Sequence, residues 1–444
     1  MNGAFCFLVA SRLNCILLAK ANCGLYPAWV ISYPIRCLLS MSEMNIVVRE
    51  PLLDARQCVA GYMLAWQQAE IDACRFAAEN PDKLARLVAE ITNNEQVAWR
   101  IGNQILFLEA EPALLLSDAL AALPAENIVL GVNAGDCAEP GVFAALQALR
   151  KRGFGISLHW PGAIEPDKAL FSIATHVDIS SGKADFAVQA KQYALIKNLP
   201  VQKVARNIAS WQDYDACVSL GFNFLTGPFQ LMSRPDSASK GLNTSQILIV
   251  QLLEMVRKNA DVRQIELVLK RDPVISYKLL RYINSAGFGL GCEIESLRHA
   301  VQVLGYTPLY RWLSVLLATA GTSKSAQLLM QTAIIRGRFA ELLGDTFLPK
   351  AETENLFIAG LFSLLDRLLG ISMGEVLDKI QLPEAMSQAL LTREGVYGDF
   401  LALAEACERG AGCAGRLAAS LQIDATQVNQ KHLQALAWAK NMDI

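Results

Sequence analysis

From Asn45 to about Pro235, short apolar runs alternate with stretches whose apolar residues recur at helical spacing. The runs predict strands at Ile46–Val48, Tyr62–Ala65, Ile105–Glu109, Ile128–Val132, Gly155–His159, His176–Ile179, Val201–Ala205 and Phe222–Leu225. Most are separated by helical patterns. Phe143, Leu146 and Leu149 mark one such helix, and Gly153 stands where it should stop. Strands alternating with helices make a mostly parallel sheet, and this many suggest closure into a (β/α) barrel. The first gap, Pro51–Gly61, is too short for a crossover helix, so the first pair of strands should be antiparallel.

The stretch SRPDSASKGLN, Ser233–Asn243, is rich in serine, proline and glycine and marks a boundary. Beyond it helical spacing continues over Ile247–Val256, Val262–Leu269, Val274–Ile283, Ser296–Leu304, Leu309–Leu317, Ala326–Leu343 and Glu354–Leu369. Shorter helical segments follow near Ser372–Lys379, Ala385–Leu391 and the C-terminus. The expected fold is therefore α/β plus all-α: a barrel over 44–235, a linker over 236–243 and a helical domain over 244–444. Residues 1–43 read as a leader outside the fold. Arg12, Lys20 and Arg36 break their apolar runs, so none reaches the ~20 residues of a membrane span. Met41 and Met44 precede the strand-like NIVV, so the true start is open among Met1, Met41 and Met44. A weak membrane anchor is the alternative reading of this leader.

One helical corner stands out: DPVISYKLLRYINSAGFG. Asp272 is suited to cap a helix, and Pro273 to its first turn. Val274, Tyr277, Leu280 and Asn284 fall near one face, and Gly287 and Gly289 can end the helix. Ser296 can open the next helix, with Leu297, Val301 and Leu304 inward and Gly305 as its stop. Asn284 and Ser285, in the last turn, read as a structural corner that satisfies loose backbone groups. No base lies nearby to activate Ser285 as a nucleophile.

Composition narrows the chemistry. Hydrophobic residues make up 53% of the chain, ample for real cores, and the net charge of -2 lacks the basic surplus of a nucleic-acid binder. None of the four histidines (His159, His176, His299, His432) is followed by aspartate, and the 11 cysteines form no C-x-x-C pair. Metal and cofactor are therefore expected to be absent. The cysteines read as reduced thiols of a cytoplasmic protein.

The stretches EPLLDARQCVAGYMLAW, LRKRGFGISLHWPG and LGFNFLTGPFQLMSRP resemble the EAL domain, a bacterial barrel that hydrolyses cyclic di-GMP. The runs DPVISYKLLRYINSAGFG…IESLRHAVQVLG and ENLFIAGLFSLLDRLLG resemble the HDOD domain, a helical relative of the HD phosphohydrolases. The resemblance covers nearly all of 45–444 in the order of a two-domain EAL/HDOD signalling protein. It implies divalent metals held by oxygen ligands at strand ends. At the positions that match those ligands stand Met63, Leu108, Gly131, the pair His159 and Trp160, Asp178, Arg206 and Thr226. Glu109, Glu111, Asp136, Glu139 and Asp178 remain as strand-end acids. The His-Asp position of the second half reads Ser363, Leu364 and Asp366, with Asp366 and Arg367 as a surface or helix-end pair.

These substitutions lead to the expectation of a signalling protein without catalytic activity, a pseudo-enzyme barrel joined to an HDOD domain that binds other signalling proteins. The alternative is a cyclic-dinucleotide sensor that binds without cutting, using Arg206, His159 and Trp160 for charge and stacking. A metal-dependent phosphodiesterase is the third reading.

Overall fold

The computed structural model describes residues 46–66, 82–93, 104–160, 168–179, 186–232, 234, 242–284, 294, 296–320, 324–380, 382–409 and 413–440. The leader 1–43, linker residues 236–241, and Ser285, Gly287 and Gly289 lie outside the described residues.

The strands are β1 (Val47–Asp54), β2 (Val59–Trp66), β3 (Ile105–Glu109), β4 (Ile128–Asn133), β5 (Gly155–His159), β6 (His176–Ile179), β7 (Gln202–Ala205) and β8 (Phe224–Leu225). They close into a barrel in chain order. β1 runs antiparallel to both its neighbours, β2 and β8, and the remaining pairs are parallel. The β1–β2 turn is built by Asp54, whose Oδ1 accepts from the amides of Arg56 and Cys58, both at 2.8 Å. β1 extends past Pro51, further than its apolar run foretold, with a register shift between Leu52 and Leu53.

Alternation along the strands sends every second side chain into the barrel. Leu52, Met63, Phe107, Val129 and Val204 form one buried layer inside it. His176 packs edge-on against Phe107, with ring centroids 5.1 Å apart. Burial, and then the charge of Arg150, pushes its imidazole down to about 4. Helices such as Val142–Arg152 and Trp211–Leu220 cover the outside. Gly153 stops the first of these at φ 107°, and Ser210 caps the second by accepting from the Asp213 amide at 3.1 Å.

After β8 the described residues are helical from Thr244 onward. Asp272 caps Pro273–Ile283 by accepting from the amides of Val274 and Ile275. The buried face of that helix is Ile275, Leu279 and Ile283; Val274 and Tyr277 face solvent. Asn284 spans the corner beyond it. Its Oδ1 accepts from the Ile294 amide at 2.8 Å, and its Nδ2 donates to the Ile294 carbonyl at 2.9 Å. Ser296 caps Leu297–Leu304, which ends at Gly305 with φ 77°.

The expected helix Glu354–Leu369 is divided into Lys350–Phe362 and Leu365–Leu369. Ser363 breaks it: its Oγ donates to the Gly360 carbonyl at 2.6 Å and accepts from Arg336 Nη1 at 2.7 Å. Arg336, only 1% exposed, also meets Glu405 at 2.9 Å and Glu408 at 2.5 Å. Beside it the helix Lys324–Gly344 crosses Lys350–Phe362 at two glycines. A Cβ on Gly360 would lie 2.5 Å from the Cα of Gly337, so neither backbone could approach with a side chain between them.

The barrel and the helices are joined at β1. The Val47 amide donates to Asn429 Oδ1 at 2.8 Å, and the Val47 carbonyl takes a hydrogen bond from His432 Nδ1 at 3.2 Å. Because a carbonyl only accepts, His432 carries its proton on Nδ1. Burial, and then the charge of Arg49, holds this imidazole down to about 3. Asp366 and Arg367 lie at the ends of the helix Leu365–Leu369, in its first and last turns, and are not on the open surface: Asp366 Oδ1 is buried, and Arg367 Nη1 joins the seam by donating to the Leu231 carbonyl of the barrel.

Candidate functional site

The parallel strands all end at one mouth, and four charged side chains meet there. β3 places Glu109, β5 His159 and β6 Asp178, and Arg206 directly follows β7. Register aligns them: Glu109 pairs with Gly131, and His159 with Asp178. His159 Nε2 lies 2.7 Å from Glu109 Oε2, and Nδ1 lies 2.9 Å from Asp178 Oδ2. Carboxylates only accept, so both ring nitrogens carry hydrogens and the ring is an imidazolium. Arg206 closes the cluster with Nη2 at 2.8 Å from Glu109 Oε1 and Nη1 at 3.1 Å from Asp178 Oδ2.

The pairing sets the charge states. Burial opposes ionisation of His159, but its bonds to Asp178 and Glu109 outweigh this and lift it to about 10. Burial likewise opposes the Glu109 anion, and His159 and Arg206 bring its carboxyl to about 2. Arg206 is raised above its ordinary value: burial opposes its charge, and Asp178, Glu109 and Glu50 favour it more strongly. At neutral pH His159 therefore cannot take a proton, and Glu109 cannot give one.

Gly131 makes the His159–Glu109 contact possible. A Cβ there would stand 2.9 Å from His159 Nε2 and 3.1 Å from Glu109 Oε2. Leu108 and Met63 lie outside the cluster, both buried. Met63 sits a layer deeper inside the barrel, and alternation turns Leu108 away from the side shared by Phe107 and Glu109. Trp160 is buried against Phe171, its amide donating to the Asp178 carbonyl at 3.0 Å. Thr226 lies at the β8 end, donating to the Pro51 carbonyl at 2.9 Å with Glu50 Oε2 at 3.2 Å. Thus the mouth gathers Gly131, His159, Asp178, Arg206 and Thr226, and adds Glu109. Asp272, Pro273 and Asn284 shape the helical corner, and Ser363, Leu364 and Asp366 lie buried or half-buried in the helical half. Glu109 could have been read as a ligand position by applying the period of two to ILFLEA.

A divalent metal, implied by the EAL resemblance, does not fit this arrangement. Two carboxylates are already neutralised by two cations, and an entering metal would meet both the imidazolium and the guanidinium. One carboxylate oxygen, Asp178 Oδ1, has no hydrogen-bond partner among the described residues. A hard cation needs several such oxygens. Among the described residues no group of three or more His, Cys, Asp or Glu is disposed to hold a metal.

Comparison with known proteins places the chain. Residues 243–389 match the HDOD domain family. The chain is 26% identical over 404 residues to the cyclic di-GMP phosphodiesterase CdgJ of Vibrio cholerae serotype O1, covering 89% of this chain and 93% of that protein. It is 23% identical over 410 residues to the uncharacterized protein YuxH of Bacillus subtilis, covering 89% and 98%. Among solved structures, the PaMucR phosphodiesterase in complex with c-di-GMP matches 44% of this chain and 95% of its own, at 14% identity and a TM-score of 0.35. The EAL domain of FimX from Pseudomonas aeruginosa, bound to c-di-GMP, matches 44% and 94%, at 15% identity and a TM-score of 0.35.

The similarity to CdgJ corrects the expectation of a scaffold without catalytic activity. A relative aligned along nearly the whole chain is named a phosphodiesterase. Substituted positions are then no ground for reading the chain as inactive, and at β3 the residue on the mouth side is the acid Glu109 rather than Leu108. Residues 243–389 are an HDOD domain, and the chain has the order of a closed eight-stranded barrel followed by helices that carry that domain.

Proposed function

We propose that the chain is a phosphodiesterase of cyclic di-GMP, with its substrate site at the C-terminal mouth of the barrel. The observation that carries this is the 26% identity to CdgJ along 89% of the chain. In the reaction water adds across one phosphodiester, a P–O bond breaks, and a phosphomonoester and a free hydroxyl result. Arg206, one-fifth exposed, gives two of its five N–H donors to Glu109 and Asp178 and keeps others for a phosphate oxygen. His159, both N–H groups committed to Glu109 and Asp178, fixes the carboxylates that orient Arg206. The remaining Arg206 donors therefore need no reorganisation when negative charge builds on the phosphate. Proton transfer falls to other groups. Glu111, just beyond Glu109, has its carboxyl raised by burial and by Asp136, the direction a proton carrier needs. A cytoplasmic setting belongs to this reading. No helix among the described residues is long and apolar enough to cross a membrane.

The test is incubation of the purified chain with cyclic di-GMP in magnesium, in manganese and in chelator, followed by chromatography of the nucleotides. Linear dinucleotide should form, and Arg206→Ala should reduce it by about a hundredfold or more, the scale of losing one donor to a developing anion. The chelator arm reads whether a metal binds outside the cluster. Absence of linear product at stoichiometric enzyme under all conditions would overturn the proposal.

A further inference from the structure

A cavity of about 480 Å³ lies on the seam between barrel and helices, beside the mouth. β1 contributes Arg49, the loops after β7 and β8 contribute Asn207 and Pro228, and the helical half contributes Thr332, Arg367 and Glu408. Arg49 is 1% exposed, yet Nε and Nη1 have no hydrogen-bond partner among the described residues. Its nearest anion, Glu408 Oε1, is 3.7 Å from Nη2, beyond hydrogen-bond length. Glu408 is committed elsewhere: Arg336 holds Oε1 at 3.1 Å and Oε2 at 2.5 Å. Glu50, the next residue on β1, lies by Thr226 and contributes to the field on Arg206.

Glu408 and the Tyr62 ring, 5.6 Å from the Arg49 guanidinium carbon, balance its charge but leave Nε–H and Nη1–H without hydrogen bonds, which is costly in a buried group. The cavity Arg49 lines holds a second guanidinium, Arg367, fixed through its bond to the Leu231 carbonyl. Two arginine forks suit the three oxygens of a phosphomonoester better than the two of a carboxylate. Leu231, Pro228 and Met232 supply an apolar wall for an organic body, and the volume falls within the range of small-molecule sites.

We propose that this cavity binds an organic phosphate of about mononucleotide size, with Arg49 taking the phosphate oxygens. The ligand would touch β1, the β7 and β8 loops and the helices at once, and so would tie the mouth to the HDOD half. The proposal concerns binding alone and does not depend on hydrolysis at the mouth.

The full chain is titrated calorimetrically with GMP, guanosine and inorganic phosphate, and its thermal unfolding is followed with each. GMP should bind and raise Tm, guanosine should do neither, and inorganic phosphate should bind more weakly than GMP. Arg49→Lys keeps the charge and loses the fork, and should weaken GMP by about tenfold or more. Arg206→Ala removes the phosphate donor of the mouth, so the GMP binding that survives it belongs to the cavity. In the wild-type chain, GMP should also slow amide exchange at 49–51 and 229–232, a readout that stands if Arg49→Lys does not fold. Any of three results overturns the proposal: no GMP binding at millimolar concentration, equal affinity for GMP and inorganic phosphate, or binding lost in Arg206→Ala and kept in Arg49→Lys.

Discussion

Gly131→Ala tests how tightly the charged cluster is built. The new Cβ would sit 2.9 Å from His159 Nε2 and 3.1 Å from Glu109 Oε2, between the two groups that bond at 2.7 Å. The backbone itself accepts alanine, since Gly131 is not among the residues with positive φ. The carboxylate must therefore swing away, while the Asp178 bond on the other ring nitrogen remains. A hydrogen bond to a charged group contributes about 1.5–3 kcal/mol. At about 1.4 kcal/mol per unit, its loss should lower the His159 pKa by about 1–2 units from its wild-type value of about 10. Proton NMR of the histidine ring, followed from neutral to alkaline pH, measures this. His176 and His432 are displaced to about 4 and about 3, so their titrations do not overlap that of His159. A folded Gly131→Ala whose His159 titrates as in the wild type would refute the steric argument, and a wild-type His159 titrating near 6.5 would refute the cluster itself.

Stability should peak near neutral pH. His159 is raised in the fold, so its contribution is whole below about 6.5 and is lost as pH climbs toward about 10. His176 and His432 are lowered, so below about 6.5 the unfolded chain takes up protons the fold refuses, and stability falls toward pH 4. Each such group gives a slope of about 1.4 kcal/mol per pH unit, readable from urea midpoints across pH; a flat profile from pH 5 to 9 would contradict this. Arg336→Met removes the partner that Glu405 and Glu408 share, while Arg393 stays at 2.9 Å from Glu405 and Arg49 at 3.7 Å from Glu408, and should cost about 3 kcal/mol in urea unfolding, the low end for a broken buried pair. Gly360→Ala drives a methyl into the Gly337 backbone and should destabilise by about 1–3 kcal/mol, with the helix crossing widened in a crystal structure.

Much of the architecture could be read from local pattern. Ile105–Glu109, Gly155–His159 and His176–Ile179 are strands with the bounds their apolar runs give, because burial on a closed barrel demands those residue types. What escaped was set by partners distant in the chain. The break at Ser363 depends on Arg336, 27 residues earlier, and nothing in FSLLD announces it. The need for glycine at 131 depends on His159 and Glu109, brought beside it by strand pairing. Arg49 stands in REPLLD like any polar strand residue, and only the packing of the helical half buries it. At the mouth, His159, Asp178 and Arg206 were legible as strand-end groups. Their mutual neutralisation was not, because it rests on distances of about 3 Å that no spacing encodes.

The bonds between Val47 and the C-terminal helix have a consequence for the order in which the chain is made. Val47 and Asn429 are 382 residues apart. At synthesis rates of about 5–20 residues per second, β1 is complete on the order of half a minute before its partners leave the ribosome. Through that interval its terminal amide and carbonyl are bonded to water, and Arg49 has no helical half to cover it. The barrel can assemble but cannot finish its rim until the helix Ala425–Lys440 has been made. A frameshift or premature stop ahead of Ala425 would therefore strike β1 as well as that helix.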